Sequence, residues 1–319
     1  MTEDQVAALD GDWADATPAE RAAYTFARKV TYEPHRLADA DVAAVRKHYT
    51  ELQVLEMLLS VARNNSTNRW KEGAGIPQSK ESSNFARKAE RPLPTDRPLP
   101  IKTYLTPTSE KYRTAVTKVA PVRPDGRTVS VRPGLEPRAE AEKLLAAARA
   151  RTPRLSLADE AKARELLPAD WPAGPLPQWV RLMAHFPVDG KSQIASQRSA
   201  AEKGGLSPLL KAQVSWIVAR QDRAWYAAGE AKRRLNELGW SDDRVFALDG
   251  DWAEFTPQER AMFTLARQLA ASPIVLTDAE VAEAVKLAGP RDVVQLISYT
   301  TARTAFDRIT EAAGLQLER

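Results

Sequence analysis

The chain of 319 residues carries a net charge of +4 at pH 7 and contains no cysteine and only three histidines. Its length allows two domains, each with a buried core. The absence of cysteine excludes disulfides and thiolate catalysis. The three histidines are scattered and predict neither a metal site nor another cofactor. No apolar run approaches the roughly 20 residues that span a bilayer, and the acidic start shows no secretion signal, so we expect a cytoplasmic protein without a membrane partner.

Residues 1–77 have the pattern of three consecutive helices. Thr17-Pro18-Ala19-Glu20 is typical of a helix start, with a capping residue, proline in the first turn and a glutamate that completes a capping box. This helix should end before Pro34, and a second should open at Asp39. A third should run from Leu52 to about Lys71 and end at a glycine cap.

A basic, proline-rich segment follows at 78–138. The stretch 71–154 that contains it holds 18 Lys and Arg against 9 Asp and Glu, and 11 of the 22 prolines. Proline fixes φ and removes a backbone donor, so we expect a connector rather than a long helix or central strand. A basic arm for nucleic acid is the alternative, but aromatic residues are too sparse here to favour it.

The remainder, 139–319, is predicted to be helical throughout. We expect short helices at 139–151, 157–167 and 176–186. A long helical stretch should open at Ser207-Pro208 and close at Leu238-Gly239, with Asp222 as a break and N-cap between two helices. The fold class is therefore all-α, a helical bundle.

The most informative pattern is an internal repeat at an offset of 239 residues. The segment Leu9–Ala14 returns as Leu248–Ala253, and the match runs without a gap to Gly75 and Gly314. We interpret this as duplication of one three-helix unit. Because the second copy alone is preceded by further helices, residues 1–77 should be the back half of a domain that is complete at 139–319.

Three amphipathic helices cannot easily cover their own apolar faces, so the first unit should need a partner surface. That surface could belong to the second domain, to another subunit, or to an upstream segment that a late start site would omit. The last case would also hide a secretion signal.

Several ordered segments resemble the carboxymuconolactone decarboxylase and alkylhydroperoxidase D-like superfamily. They are Leu206–Ala212, Val218–Arg220 and the helix running into Leu238-Gly239, followed by Leu248–Trp252, Thr256–Ala261 and Leu276–Ala279. The resemblance covers residues 151–319, and 1–77 as half of a second such domain. It implies an alkylhydroperoxidase D-like bundle and a homo-oligomer.

The resemblance also implies a Cys-x-x-Cys-x-x-x-His helix with a preceding glutamate, which members of the peroxidase branch use to reduce hydroperoxides. The two cysteines fall on Ala224 and Ala227, the histidine on Ala231 and the glutamate on Ala212. All four are alanine, so no family catalytic residue is intact and the thiol mechanism is excluded.

Other side chains in the same region could form a pocket without a cofactor. The candidates are Arg220, Asp222, Arg223, Trp225, Tyr226 and Glu230. Burial could raise the pKa of Glu230 towards neutral, and an arginine could pair with a carboxylate on a ligand. The alternative is that the aromatic residues belong to the core, Asp222 is a cap, and the other charges lie on the surface.

Two functional hypotheses follow. The first is a binding or assembly module, derived from a peroxidase-type enzyme, with a small organic acid as a possible ligand. The second is a cofactor-free, non-thiol enzyme acting on a small organic acid, lactone or peroxide. The sequence does not decide whether catalysis survives, and it favours neither a membrane nor a nucleic acid as partner.

Overall fold

The computed structural model describes Leu9, residues 13–76, Arg132 and residues 134–318. Within these ranges every regular element is a helix, which confirms the all-α prediction. The connector predicted at 78–138 lies almost wholly outside the described residues. None of the helices in these ranges is both long and apolar enough to cross a membrane.

The first unit has the three predicted helices, α1 (Pro18–Tyr32), α2 (Asp39–Arg46) and α3 (Glu51–Gly73), with a 3-10 turn (Pro34–Arg36) after α1. The capping box predicted at the start of α1 is present: the Thr17 hydroxyl accepts from the Glu20 amide, and the Glu20 carboxylate accepts from the Thr17 amide. Local capping therefore determines where this helix begins.

Four helices lie between the connector and Ser207. They are α4 (Arg138–Arg149), α5 (Glu160–Glu165), α6 (Gln178–Met183) and α7 (Pro187–Glu202). The first three match predicted helices, with shorter bounds for α5 and α6. Helix α7 was not predicted. Only Gly190 and Ile194 are buried among its residues, and its sequence has almost no apolar periodicity.

Six helices complete the chain, namely α8 (Pro208–Asp222), α9 (Trp225–Glu237), α10 (Asp242–Ala247), α11 (Pro257–Ala270), α12 (Asp278–Ala288) and α13 (Pro290–Ala312). Helix α8 is buried along most of its length and packs on α9, α11 and α13. A helix that is apolar on all sides is typical of the centre of a bundle.

The break between α8 and α9 differs from the prediction. Asp222 is the last residue of α8 and does not cap α9, whose N-cap is Ala224. Arg223 turns the chain with φ 55° and ψ 38°. The first amide of α9, from Trp225, instead donates to the Glu311 carboxylate of α13 at 2.9 Å. A side chain from a distant helix thus replaces the local cap that the sequence indicated.

The first unit packs on the second through α3 and α13. Corresponding helices start at the offset seen in the sequence: α1 and α11 at Pro18 and Pro257, α3 and α13 at Glu51 and Pro290. Trp13 and Trp252 have φ 58° and 63°, respectively. The indole of each donates to the carbonyl four residues earlier, at 2.7 and 2.8 Å. The two tryptophan turns thus have the same local geometry, which we interpret as a result of duplication.

Candidate functional site

The four positions that the resemblance assigns to peroxidase chemistry are buried alanines. Ala224 and Ala227 lie in the first turn of α9 and its cap, where they are part of the core. Ala212 on α8 and Ala231 on α9 line a cavity of about 210 Å³. A small cavity therefore lies where the resemblance would place the glutamate and the histidine.

Polar side chains from three helices line this cavity, which we call the inner cavity. Helix α8 contributes Lys211 and Ser215, α9 contributes Glu230, Arg233 and Arg234, and α13 contributes Tyr299 and Arg303. The Ser215 and Tyr299 hydroxyl oxygens lie 2.9 Å apart. Its wall thus carries four cationic side chains and one carboxyl group.

Lys211 is held by the end of α7. Its ammonium donates to the Ala201 carbonyl at 3.3 Å and to the Lys203 carbonyl. Burial lowers the pKa of Lys211 below its usual value. Carbonyl groups carry no net charge, so they hold the ammonium without neutralising it.

Arg303 forms only a long ion pair with the described residues. The distance between Arg303 Nη2 and Asp307 Oδ1 is 3.8 Å. Asp307 is fully buried, and its two oxygens accept no hydrogen bond from any described residue. Burial therefore raises the pKa of Asp307 well above its usual value. The contact between Arg303 and Asp307 is long, and the Arg303 side chain lines the inner cavity.

Glu230 contributes a carboxyl group to the wall of the inner cavity. Within the described part of the chain this group forms no hydrogen bond or ion pair. Burial raises its pKa to about 7; Arg303 and Arg233 oppose this rise, and Glu318 adds to it. A carboxyl group that titrates near neutral pH can both donate and accept a proton there.

A second cavity, of about 710 Å³, lies on the other side of the same turn of α9. Glu230 and Arg233 line both cavities, and Glu318 lines this outer cavity. Tyr226 is buried, and its hydroxyl donates to Glu318 Oε1 at 3.0 Å. Tyr226 therefore contacts the outer cavity only through its hydrogen bond to Glu318. Burial raises the pKa of the Tyr226 phenol above its usual value.

Arg220 and Trp225 lie in the interior instead. The Arg220 guanidinium is fully buried, donates to Asp249 Oδ2 at 2.9 Å and to Glu136 Oε2 at 3.1 Å, and lies over the Trp225 ring at 5.2 Å. These contacts satisfy the arginine within the protein and join α8 to the segment before α4.

Asp222 and Arg223 line a third cavity, of about 300 Å³, between the two units. Asp222 accepts from Arg308 Nη1 at 2.9 Å, and Arg223 donates to Glu136 Oε1 at 2.7 Å. His35 shares this cavity; burial and the Arg223 charge lower its pKa to about 4. The six candidate residues thus do not form one pocket. Arg220 and Arg223 both bind the Glu136 carboxylate, whereas Glu230 and the Tyr226–Glu318 pair lie at the outer cavity.

Sequence reasoning missed most polar residues of the two cavities around Glu230, among them Lys211, Ser215, Tyr299, Arg303 and Glu318. A signal existed for four of them. Lys211 and Ser215 on α8, and Tyr299 and Arg303 on α13, are polar pairs four residues apart, and such pairs share a helix face. No comparable pattern marks Glu318, which reaches the site through tertiary packing.

No family model matches the chain, and no curated protein matches it. A solved structure of a variant of the debrominase Bmp8 in complex with 2,3,4-tribromopyrrole is similar over 60% of this chain and 94% of that chain, with 15% sequence identity and a TM-score of 0.43. At this level of similarity the comparison assigns neither a function nor a site to the chain.

Proposed function

We propose that the chain is an alkylhydroperoxidase D-like protein that has lost thiol chemistry and binds a small organic acid in the inner cavity. The observation that carries the proposal is the charge of that cavity. Lys211 and Arg303 place cationic groups in the wall of the cavity. The carboxyl group in the same wall, Glu230, has a pKa of about 7. An anionic carboxylate would find opposite charge there.

The size of the cavity limits the ligand. A volume of about 210 Å³ corresponds to about seven water molecules and is below the roughly 300–1,000 Å³ of sites for drug-sized molecules. The Ser215 hydroxyl donates to the Lys211 carbonyl at 2.9 Å and accepts from the Tyr299 hydroxyl, so both donors of this pair are used within the protein. We therefore expect monocarboxylic acids of a few carbon atoms to fit best.

Binding is tested by calorimetry and thermal shift on the full chain, with acetate, propionate and benzoate as probes and their methyl esters as uncharged controls. We expect the acids to bind and stabilise the protein, and the esters to have little effect. Arg303→Gln should weaken acid binding by about tenfold or more, since one charge-assisted hydrogen bond contributes about 1.5–3 kcal/mol. Arg21→Gln, an exposed arginine of α1, is the matched control. Equal effects of acids and esters would refute the proposal.

A second candidate function is cofactor-free proton transfer by Glu230, and the observation that favours it is the pKa of about 7. A lactone or an acid with an acidic α-hydrogen would be the substrate class. Glu230→Gln should then abolish turnover while binding remains, whereas in a binding module no turnover exists to be lost. Hydrogen–deuterium exchange at the ligand α-carbon, followed by NMR, separates the two.

Assembly is a separate proposal. The resemblance to the superfamily favours a homo-oligomer. Light scattering at micromolar concentration should give a mass that is a multiple of the 35.2 kDa chain; a monomeric mass would contradict it.

A further inference from the structure

Arg223, at the turn between α8 and α9, lines the third cavity, which lies between the two units and has a volume of about 300 Å³. Its backbone is left-handed, with φ 55° and ψ 38°. At the end of a helix this conformation usually belongs to glycine, which has no Cβ. The 3-10 turn of the first unit adds His35 and Arg36 to the same cavity. A large cationic side chain therefore occupies a position whose backbone favours the smallest residue.

The Arg223 guanidinium uses only part of its donor capacity within the protein. Its Nε donates to Glu136 Oε1 at 2.7 Å, and its Nη1 lies 3.4 Å from His35 Nε2. Because arginine has no acceptor, His35 Nε2 is the acceptor in this long contact. Nη2 forms no hydrogen bond with any described residue. The side chain is 27% exposed, so the edge formed by Nη1 and Nη2 is open to a ligand.

The carboxylate that pairs with Arg223 is shared with two other arginines. Glu136 Oε2 accepts from Arg132 Nη2 at 2.6 Å and from Arg220 Nη1 at 3.1 Å. Arg220 has a second partner, since its Nε donates to Asp249 Oδ2 at 2.9 Å. One Glu136 charge is thus divided among three guanidiniums and neutralises Arg223 only in part.

The two acids that line the cavity have cationic partners of their own. Asp222 Oδ2 accepts from Arg308 Nη1 at 2.9 Å, and Glu33 Oε1 lies 3.0 Å from Arg36 Nη1. The Arg308 guanidinium is fully buried, and its Nη2 has no hydrogen-bond partner in the described part of the chain. Neither acid therefore presents an uncompensated negative charge to an anion in the cavity.

The C-terminal end of α8, which also borders the cavity, is covered by a cation. Arg132 Nη1 donates to the carbonyls of Arg220 and of Gln221, the latter at 2.8 Å. The carbonyl end of a helix carries partial negative charge, which a guanidinium offsets. The helix end therefore does not repel an anion bound beside it.

We propose that the third cavity binds a phosphate group, with Arg223 as its main donor and Arg36 as a second. The outer edge of a guanidinium donates two parallel hydrogen bonds, which match two oxygens of a phosphate. Phosphate oxygens point in tetrahedral directions, so one phosphate can also face Arg36, whereas a planar carboxylate presents both oxygens along one edge. The volume of about 300 Å³ has room for a small phosphate monoester.

The site is separate from the inner cavity and does not depend on its proposed function. Arg36 belongs to the first unit and Arg223 to the second, so a bound phosphate would connect the two units. Its binding should therefore be visible both as affinity and as increased protection of the cavity wall in each unit.

The test is calorimetry on the full chain with inorganic phosphate and with glycerol phosphate, at an ionic strength held constant with chloride. Binding of either supports the site, and the tighter of the two identifies the free ion or the monoester as its ligand. Arg223→Gly should weaken binding by about tenfold or more, while the fold is kept because glycine suits this backbone conformation. Arg223→Lys, which keeps the charge without the fork, and Arg36→Gln should weaken binding by less. Arg21→Gln, at an exposed position of α1, should bind as wild type.

Glu136→Gln separates direct binding from a structural role of Arg223. The amide oxygen still accepts hydrogen bonds, but the competing negative charge is gone, so phosphate should bind more tightly. Hydrogen exchange with and without phosphate is the second readout, and protection should increase at the 3-10 turn Pro34–Arg36 and at the start of α9.

Three results would overturn the inference. The first is the absence of phosphate binding, or binding that chloride abolishes at constant ionic strength, which would indicate nonspecific attraction of anions. The second is wild-type affinity in Arg223→Gly. The third is unchanged or weaker binding in Glu136→Gln while thermal unfolding of that variant stays cooperative, because Arg223 would then serve only to hold Glu136.

Discussion

Arg69 and Arg308 are 239 positions apart and occupy equivalent places in the two copies of the repeat. Arg69 contacts the end of α11 in the second copy, and Arg308 contacts the end of α1 in the first. Arg69 Nη1 donates to the carbonyls of Leu269 and Ala271, both at 2.6 Å, and Arg308 Nε donates to the carbonyl of Thr31 at 3.3 Å. The last carbonyls of a helix lack intrahelical donors, so each arginine stabilises a helix end in the other unit.

Arg69→Met should therefore destabilise the protein by about 2–4 kcal/mol, because buried carbonyls lose charged donors while the apolar stem is retained. Burial and the nearby Arg308 charge lower the pKa of Arg69 to about 9, so the residue is charged at neutral pH. Urea unfolding measures the effect. Arg21→Met, at an exposed position of α1, should change stability by less than about 0.5 kcal/mol; equal effects of the two variants would contradict the prediction.

Helix starts in this chain could be predicted because they depend on local residues. Thr17 forms the capping box that its sequence indicates, and Thr256 and Thr277 form the same box. Helix α7 could not be predicted, since its mainly polar sequence gives no periodic signal and its position depends on neighbouring helices. Two of the four alanines that the resemblance singles out, Ala212 and Ala231, line the inner cavity, but the residues that give the cavity its charge come from α8, α9 and α13 together. Their proximity is a product of packing.

Glu230 should make the stability of the protein depend on pH. Its folded pKa of about 7 lies above its ordinary value of 4.5, so the folded state binds the proton more tightly and this stabilisation is lost as pH rises from about 4.5 through 7. Glu230→Gln should gain stability relative to wild type between pH 5 and 8, by about 1–3 kcal/mol after allowing for the part of the side chain that faces water. Urea unfolding at the two pH values checks this; a difference that does not vary with pH would argue against it.

Gly229 should not tolerate alanine. An added Cβ would lie 2.1 Å from Leu317 Cδ2 and 2.6 Å from Cδ1. Alanine gains about 1 kcal/mol of helix propensity, whereas overpacking costs about 1–3 kcal/mol, so we expect Gly229→Ala to be net destabilising and to displace Glu318 with its neighbour. Thermal unfolding and acetate affinity measure the two effects. In Gly134→Ala no described atom lies within 4 Å of the new Cβ, and this control should behave as wild type.

The protein should have no thiol-dependent peroxidase activity. It contains no cysteine, and the positions that the resemblance assigns to the two thiols are Ala224 and Ala227. No other residue type undergoes the same thiol–disulfide exchange. A coupled assay with an alkyl hydroperoxide and a dithiol reductant should give background turnover only. Turnover by metal-free protein at the rate of a cysteine-containing peroxidase would disprove the prediction.

The first unit should depend on the second for its structure. The buried apolar residues of α3 include Leu55, Leu58 and Leu59, and α3 packs along α13. Without the second unit these side chains would be exposed, and each would lose about 1.5–3 kcal/mol of burial free energy. A unit of three helices is too small to replace this stabilisation with other buried contacts.

Residues 1–77 expressed alone should therefore show little protection of their amides in hydrogen exchange, whereas the same amides of α3 should be protected in the full chain. Arg69→Met in the full chain should show an intermediate pattern, with reduced protection in the first unit and at the end of α11, because it removes the contacts to Leu269 and Ala271 while the apolar face stays covered. A stably protected monomeric fragment would mean that the first unit is complete by itself and that its packing on α13 is not what stabilises it.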